Sequence, residues 1–230
     1  MGITPEVIIY NKDSRFLEEL QDNTVDFVVT SPPFNISHKY RSYHDSLDYD
    51  DFDVLYSTVI NSISRVLKDD GFFIIDIADL IVMQSNIIYG AEYVKEKAFS
   101  AKLDYICAYP YIAIEGSDIK MSSSISRDDK DKKFHSSCEQ VLVFGKRFSR
   151  QNIATNMRLQ STYKYSTLHD SAFWPKELVE DMIAPFEMRG KLLIDPFMGS
   201  GTIARITIER GGRFVGYDID IQTLKTYNWI

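Results

Sequence analysis

Cysteine is scarce in this chain. Of its 230 residues only Cys107 and Cys138 carry a thiol, which excludes a disulfide framework, and neither stands in the CxxC or Cys/His spacing of a structural zinc site. No metal is expected. Long apolar runs are absent as well. Phe72 to Ile75 and Leu80 to Met83 are among the longest, far short of the ~20 residues that span a bilayer. The opening MGITPEVIIYNKD has no basic stretch ahead of an apolar one, so no secretory signal is expected. Glycine (11) and proline (7) are too few for a collagen or a low-complexity chain. The expected setting is reducing and cytoplasmic. What is present is ordinary for a globular protein: 44% apolar and 26% charged residues. A chain of this length should bury roughly 70–75% of its unfolded surface.

Charge is unevenly placed. The total is −7, yet residues 120–164 hold ten Lys and Arg against four Asp and Glu, a net +6 that leaves −13 for the rest. A basic segment inside an acidic protein is either a polyanion footprint or a solvated surface loop. Lys130, Lys132, Lys133, Lys146, Arg147 and Arg150 are the candidates for phosphate contacts.

Apolar periodicity alternates between strand and helix. Strands are expected at Val7–Tyr10, Val25–Thr30, Phe72–Ala78, Leu103–Tyr109, Gln140–Phe144, Lys191–Asp195 and Arg213–Asp218. Helices are expected at Ser14–Leu20, Asp51–Lys68, 85–100, Pro175–Phe186, Thr202–Glu209 and 221–230. Gly71 is expected to end the second of these. Alternation of this kind implies an α/β, doubly wound, mostly parallel sheet with helices on both faces. No linker splits the chain, so residues 1–230 read as one domain, with inserted loops around 36–50, 116–135 and 146–168.

Two motifs concentrate the chemistry. The first is Asp195-Pro196-Phe197-Met198-Gly199-Ser200-Gly201-Thr202, between a strand and a helix. Glycines at 199 and 201 let the backbone turn tightly and approach a ligand. No Lys follows the second glycine, so this is not a P-loop. At the end of the next strand stands Asp218, placed to accept two ribose hydroxyls. A carboxylate ahead of the loop, Asp195, suits an ammonium better than a phosphate. A nucleoside with a cationic amino-acid tail satisfies both acids, and S-adenosyl-L-methionine (SAM) is such a molecule. The second motif is Thr30-Ser31-Pro32-Pro33-Phe34-Asn35 at a strand's carboxyl end. Two prolines remove two N–H donors and fix φ. The Ser31 hydroxyl and the Pro32 carbonyl can then hold both hydrogens of an amino group, and Phe34 offers a face for a base, worth roughly 1–3 kcal/mol.

With these motifs in this order the sequence resembles the β-class amino DNA methyltransferases, in which a catalytic S/D-P-P-Y/F precedes the SAM-binding FxGxG. Here Ser31-Pro-Pro-Phe34 comes first and Phe197-Met-Gly-Ser-Gly201 later. Asp13-Ser-Arg-Phe-Leu-Glu-Glu-Leu…Val25-Asp-Phe-Val-Val-Thr30 resembles the family's lead-in to its catalytic loop. Cys138-Glu-Gln-Val-Leu-Val-Phe-Gly145 resembles the strand before its basic region, and His169-Asp-Ser-Ala-Phe-Trp-Pro175 the segment that wraps the cofactor's methionine end. The likeness leaves out only about 36–50 and 84–135. It implies the circularly permuted, seven-stranded type of methyltransferase sheet. It implies SAM as cofactor, held by Asp195 and the 196–202 loop at the methionine end and by Asp218 at the ribose, with Thr30 and His169 in the same group. It gives Asp13 to the adenine amino group, although the residue before it is Lys12 where the family more often has Gly, and Asp13 serves equally as a helix cap. The family's longer recognition region is reduced here to about 25 residues between the strand near 144 and His169.

The implied reaction is methylation of the exocyclic amino group of a flipped base in a short DNA sequence, of restriction-modification type. Ser31, Pro32, Pro33 and Phe34 would be catalytic. In this family Ser at the first position goes mostly with cytosine N4 and Asp with adenine N6, so Ser31 points to cytosine; adenine N6 is the alternative. Double-stranded DNA is the expected partner, together with a restriction endonuclease acting on the same site. The protein itself is expected to be a monomer or homodimer. A non-catalytic DNA-binding subunit of the same fold would show decayed motifs, and both are intact. RNA and protein methyltransferases more commonly carry Asn-Pro-Pro-Tyr, in the reverse motif order.

Overall fold

A computed structural model describes residues 6–35, 45–83, 86–115, 133–135, 138–146, 158–165 and 174–230. Its frame is an eight-stranded sheet. The strands are β1 (Val7–Tyr10), β2 (Val25–Thr30), β3 (Leu67–Ala78), β6 (Asp104–Glu115), β8 (Cys138–Gly145), β9 (Thr162–Tyr165), β10 (Leu192–Asp195) and β11 (Arg213–Tyr217). They lie in the order β1-β11-β10-β2-β3-β8-β6-β9. All pairings are parallel except those of β8, which runs against β3 and β6. Three short strands, β4 (Leu80–Met83), β5 (Asn86–Tyr89) and β7 (Lys133–His135), form a separate sheet in the order β5-β4-β7. The α/β class and the mostly parallel sheet match expectation; β9 adds a strand beyond the seven-stranded type.

Helices α1 (Tyr49–Val66) and α2 (Gly90–Ser100) cover one face, and α3 (Lys176–Ile183), α4 (Thr202–Glu209) and α5 (Ile221–Thr226) the other. Strand alternation divides the core between them. Phe73, Ile75 and Ile77 face α1, whereas Phe72 and Ile74 face α3 and α4. In α1 the apolar stripe Phe52, Tyr56, Val59, Ile60, Ile63 and Val66 is buried, Asp48 caps the start by accepting from the Asp51 N–H (2.8 Å), and acids at 50 and 51 suit the positive helix end.

Several expected elements differ. Residues 14–20 form turns rather than a helix. Leu17 takes a left-handed backbone (φ 46°) and is buried. The carbonyls that a helix would use are bound by the Arg65 guanidinium of α1, which donates to Phe16, Leu17 and Leu20. Tertiary contact overrides local propensity there. Strand β3 begins at Leu67, not after Gly71, and its register with β2 jumps from Val25↔Leu67 to Phe27↔Phe72, so residues 68–71 bulge within the strand. The expected helix over 85–100 starts only at Gly90, after strand β5. A Cβ on Gly90 would stand 2.0 Å from the Ala78 carbonyl oxygen, so only glycine permits the turn into α2. Leu80–Met83, β5, β7 and β9 are strands in stretches where none is expected from the sequence.

Candidate functional site

Both motifs end on the carboxyl edge of the parallel strands. Strand β10 leads through α4 to β11 on one side, and β2 leads through α1 to β3 on the other. The crevice between β10 and β2 is therefore the topological switch point, where open α/β sheets bind ligands. Two residues join the motifs across it. Thr30 Oγ1, at the end of β2, donates to Asp195 Oδ1, at the end of β10, at 2.7 Å, and both residues are buried.

Asp195 Oδ1 also accepts from the Phe197 N–H at 3.0 Å, which starts the glycine loop. Burial is the main force on its carboxyl and pushes its pKa up to about 7; the two donors oppose this and the neighbouring Asp218 charge adds to it. Asp218 is gripped at both oxygens. Oδ2 accepts from the Gly199 N–H (2.8 Å) and Oδ1 from the Asp220 N–H (2.7 Å). Burial pushes it up to about 6, against those donors and with the Asp220 charge. Gly199 and Gly201 both have positive φ (48° and 77°). A Cβ built on Gly199 meets nothing within 4 Å, so this part of the loop borders open space. Ser200 Oγ and Thr202 Oγ1 lie 3.2 Å apart at the start of α4.

The Ser31-Pro-Pro-Phe34 loop is held from beneath. Tyr56 of α1 donates from its hydroxyl to the Pro33 carbonyl (3.1 Å). Asn35 is buried in a left-handed conformation (φ 58°); its amide donates to the Leu47 carbonyl (2.8 Å) and accepts from the Leu47 N–H (2.6 Å). These bonds leave Ser31 Oγ and the Pro32 carbonyl without a hydrogen bond among the described residues. Phe34 is half-buried and packs against the α1-side core. A small apolar cavity of about 10 Å³ lies between the two loops, lined by Thr30, Pro32, Tyr56, Ile75 and Phe197 among others.

Other candidates fall elsewhere. Asp13 caps no helix, because none follows it. Its carboxylate accepts from the Arg15 N–H (2.9 Å) and Nε (2.8 Å); burial opposes its ionisation, and Arg15 overcomes this and holds it below the usual carboxylate range. It does lie in the turns following β1, beside β11. Lys146 lies at the opposite edge of the sheet, following Gly145, which pairs with Phe72. Its ammonium donates to the Leu67 carbonyl at 2.6 Å, so it is not grouped with the motifs. Lys133 is on β7, paired in register with Met83. Lys130, Lys132, Arg147, Arg150 and His169 lie outside the described residues.

The sequence reading missed residues that shape the site. Asn11 donates from its amide to the Asp218 and Ile219 carbonyls (2.8 and 3.1 Å), fixing the turn at the acid. Ile219, beside the half-buried Asp218, is 55% exposed. Asp76, near the end of β3, is fully buried and accepts from Trp174 Nε1 at 2.8 Å. Burial, then the Glu139 charge, raises it well above the ordinary range. Its one available signal was an acid inside the apolar run Phe72-Phe-Ile-Ile-Asp-Ile-Ala78.

The fold and these loops thus define an α/β framework that brings a glycine loop and a proline-rigid loop together at one switch point. The DNA methylase family, of N6/N4 type, matches residues 25–228, and the chain belongs to it. It is 24% identical over 255 residues to the orphan methyltransferase M.BamHII of Bacillus amyloliquefaciens, covering 93% of this chain and 92% of that protein. Among solved structures, the cytosine-N4-specific PvuII DNA methyltransferase superposes with a TM-score of 0.65 at 18% identity, over 99% of this chain and 87% of that one. The M1.HpyAVI–SAM complex superposes at 0.61 and 16% identity, over 96% and 98%. No helix among the described residues is long and apolar enough to cross a membrane.

Proposed function

We propose that this DNA methyltransferase uses SAM to methylate the exocyclic amino group of a flipped base in double-stranded DNA, with cytosine N4 as the target. The observation that supports this best is the Thr30–Asp195 hydrogen bond, which ties the acceptor loop to the glycine loop across the switch point.

The residues fit the cofactor. Asp218, pinned by two backbone N–H groups, keeps further lone pairs on both oxygens for ribose hydroxyls. Ile219 supplies an apolar surface beside it. Asp195 ionises readily once a cation neutralises its surroundings, and the ammonium of SAM is such a cation. Gly199 leaves room for close approach. When bound, SAM supplies a methyl group on a sulfonium, a strong leaving group.

The amino nitrogen of cytosine is a poor nucleophile because its lone pair is conjugated into the ring. Ser31 Oγ and the Pro32 carbonyl accept its two hydrogens, draw it toward sp³ geometry and turn the lone pair outward. Pro32 and Pro33 keep those acceptors rigid, and Tyr56 and Asn35 hold the loop from below. Held there, SAM would supply its methyl to the amino nitrogen and leave as a neutral thioether, and the one amino proton released would pass to solvent. Positioning provides much of the acceleration. No covalent enzyme intermediate is required. Extruding the base costs a few kcal/mol, offset by stacking on Phe34 and by phosphate contacts from Lys130, Lys132, Lys133, Arg147 and Arg150. The whole chain acts as one domain, and a restriction endonuclease with the same site is its natural counterpart.

Long-read sequencing of DNA from a host expressing the gene tests the reading. N4-methylcytosine in one short context is the expected result. N6-methyladenine in its place would keep the chemistry and overturn the choice of base; unmodified DNA from a folded, SAM-binding protein would overturn the activity.

A further inference from the structure

The glycine loop is clamped from behind by a tryptophan outside either motif. Trp229 Nε1 donates to the Ser200 carbonyl at 3.0 Å. Its ring lies so close to Gly201 that a Cβ there would stand 2.4–2.5 Å from Cζ2, Cε2 and Nε1. On the same indole rests the Arg205 guanidinium of α4, 4.8 Å from the ring centroid, which also reaches the Tyr227 carbonyl at 3.3 Å.

What brings Trp229 there is a helix end. Asp220 caps α5 by accepting from the Gln222 and Thr223 N–H groups. At the other end Asn228 turns left-handed (φ 57°). The Trp229 N–H then bonds the Leu224 carbonyl and the Asn228 N–H the Lys225 carbonyl, the paired bonds of a Schellman turn, which reverses the chain. The same α5 starts beside Asp218, whose Oδ1 accepts from the Asp220 N–H, while Oδ2 accepts from Gly199. A closed circuit results: Asp218, the α5 cap, α5, Asn228, Trp229, the 199–201 turn, and Asp218 again.

We infer that Trp229 is a positioning residue for the cofactor pocket: through Ser200 and Gly201 it sets the glycine loop at the distance from Asp218 that a nucleoside cofactor needs. The inference rests on the proposed SAM site. Trp229 packs on the α3–α4 side of the core whereas Phe34 packs on the α1 side, so it acts on the affinity for SAM and not on the transfer step.

The test compares Trp229→Ala, Trp229→Phe and Asp218→Ala, each checked for folding by circular dichroism, with SAM affinity measured by calorimetry. Trp229→Ala should weaken SAM binding about tenfold, and Trp229→Phe, which keeps the ring and loses the N–H, about threefold. The KM for SAM should rise in step while kcat at saturating SAM stays within twofold. A fall in kcat or melting temperature with unchanged SAM affinity would mean a merely structural tryptophan and overturn the inference. Gly201→Ala supplies a second arm. Its positive-φ cost is the same with and without Trp229, so a double-mutant cycle isolates the ring contact. Gly201→Ala should cost more SAM affinity in the wild-type background than in Trp229→Ala; equal costs would overturn the clamp. If Asp218→Ala leaves SAM affinity intact, the site reading itself fails, an outcome distinct from either.

Discussion

The two halves of the sheet's carboxyl edge are built in different ways. On the β10–β11–β1 side the site is made of short loops tied by main-chain N–H groups: Phe197 N–H to the Asp195 carboxylate, Gly199 N–H to the Asp218 carboxylate, Met198 N–H to the Tyr217 carbonyl, Asp218 N–H to the Tyr10 carbonyl. On the β2–β3 side the Ser31-Pro-Pro-Phe34 loop depends on side chains, Tyr56 of α1 from below and the adjoining Asn35, which bridges to the Leu47 backbone. A backbone-tied pocket suits a cofactor that is the same in every turnover. A loop with rigid prolines and acceptors left open suits a reacting group that must enter and leave. Binding and chemistry are therefore separable by mutation.

The largest separation is expected at Ser31. Ser31→Ala should reduce methyl transfer at least a hundredfold on a cognate duplex, about 2.7 kcal/mol of transition-state stabilisation, with calorimetric SAM affinity within twofold of wild type. Activity surviving within a factor of two would make Ser31 a turn residue and erase the contrast. On the other half, Asp195→Ala should weaken SAM binding by at least tenfold, ~1.4 kcal/mol, in a protein that still folds. Unchanged affinity would move the cofactor away from the glycine loop.

The acids sharpen the comparison through pH. With Asp195 raised to about 7 and Asp218 to about 6, both carry protons in the empty site under mildly acidic conditions. A cationic ligand favours their ionised forms. SAM affinity should therefore rise from pH 5.5 to 7, by about tenfold per pH unit for each proton released, and level off above 7. Calorimetry in buffers of different ionisation enthalpy reads the proton release directly. Asp195→Asn should remove the rise nearest pH 7. The ligand-free protein should move the opposite way. Between about pH 4 and 7 the folded state holds protons that the unfolded state has lost, so unfolding free energy should fall as pH rises through that window. Its measure is the urea midpoint against pH. Transfer chemistry at Ser31 has no titrating group and should add no pH dependence at saturating SAM.

The smallest effect is expected in the basic segment. Neutralising Lys130, Lys132 and Lys133 together should weaken DNA binding across sequences. It should also flatten the slope of log affinity against log salt by roughly 0.9 for each phosphate that is no longer neutralised, leaving SAM affinity alone. An unchanged slope would make these lysines a solvated surface.

Much of this was legible in the residues. Val25–Thr30 and Leu192–Asp195 are apolar runs that end in turn chemistry, and α4 begins at Thr202 as its glycine cap implies. Sheet class and motif positions follow from such local signals. Less legible was anything decided by partners distant in sequence. Residues 14–20 carry a helical pattern, but Arg65 supplies the hydrogen bonds that pull them into turns. Asp76 and Trp174 are 98 positions apart, and their bond shows in neither local pattern. Lys146 read as a phosphate contact because charge is visible in sequence and sheet edge is not; it caps a carbonyl at the opposite edge.

The sequence by itself determined the alternation of strands and helices, the two loops at strand ends and the residue types that fit a cationic nucleoside and an amino group. These depend on φ preference, apolar period and side-chain chemistry, all properties of a few neighbouring residues. Tertiary structure alone decided that Thr30 meets Asp195, that Asn35 and Tyr56 hold the acceptor loop, and that Trp229 backs Gly201. Those contacts arise because parallel strands brought side by side align their carboxyl ends, and hydrogen bonds between such ends become definite only when the whole sheet has formed.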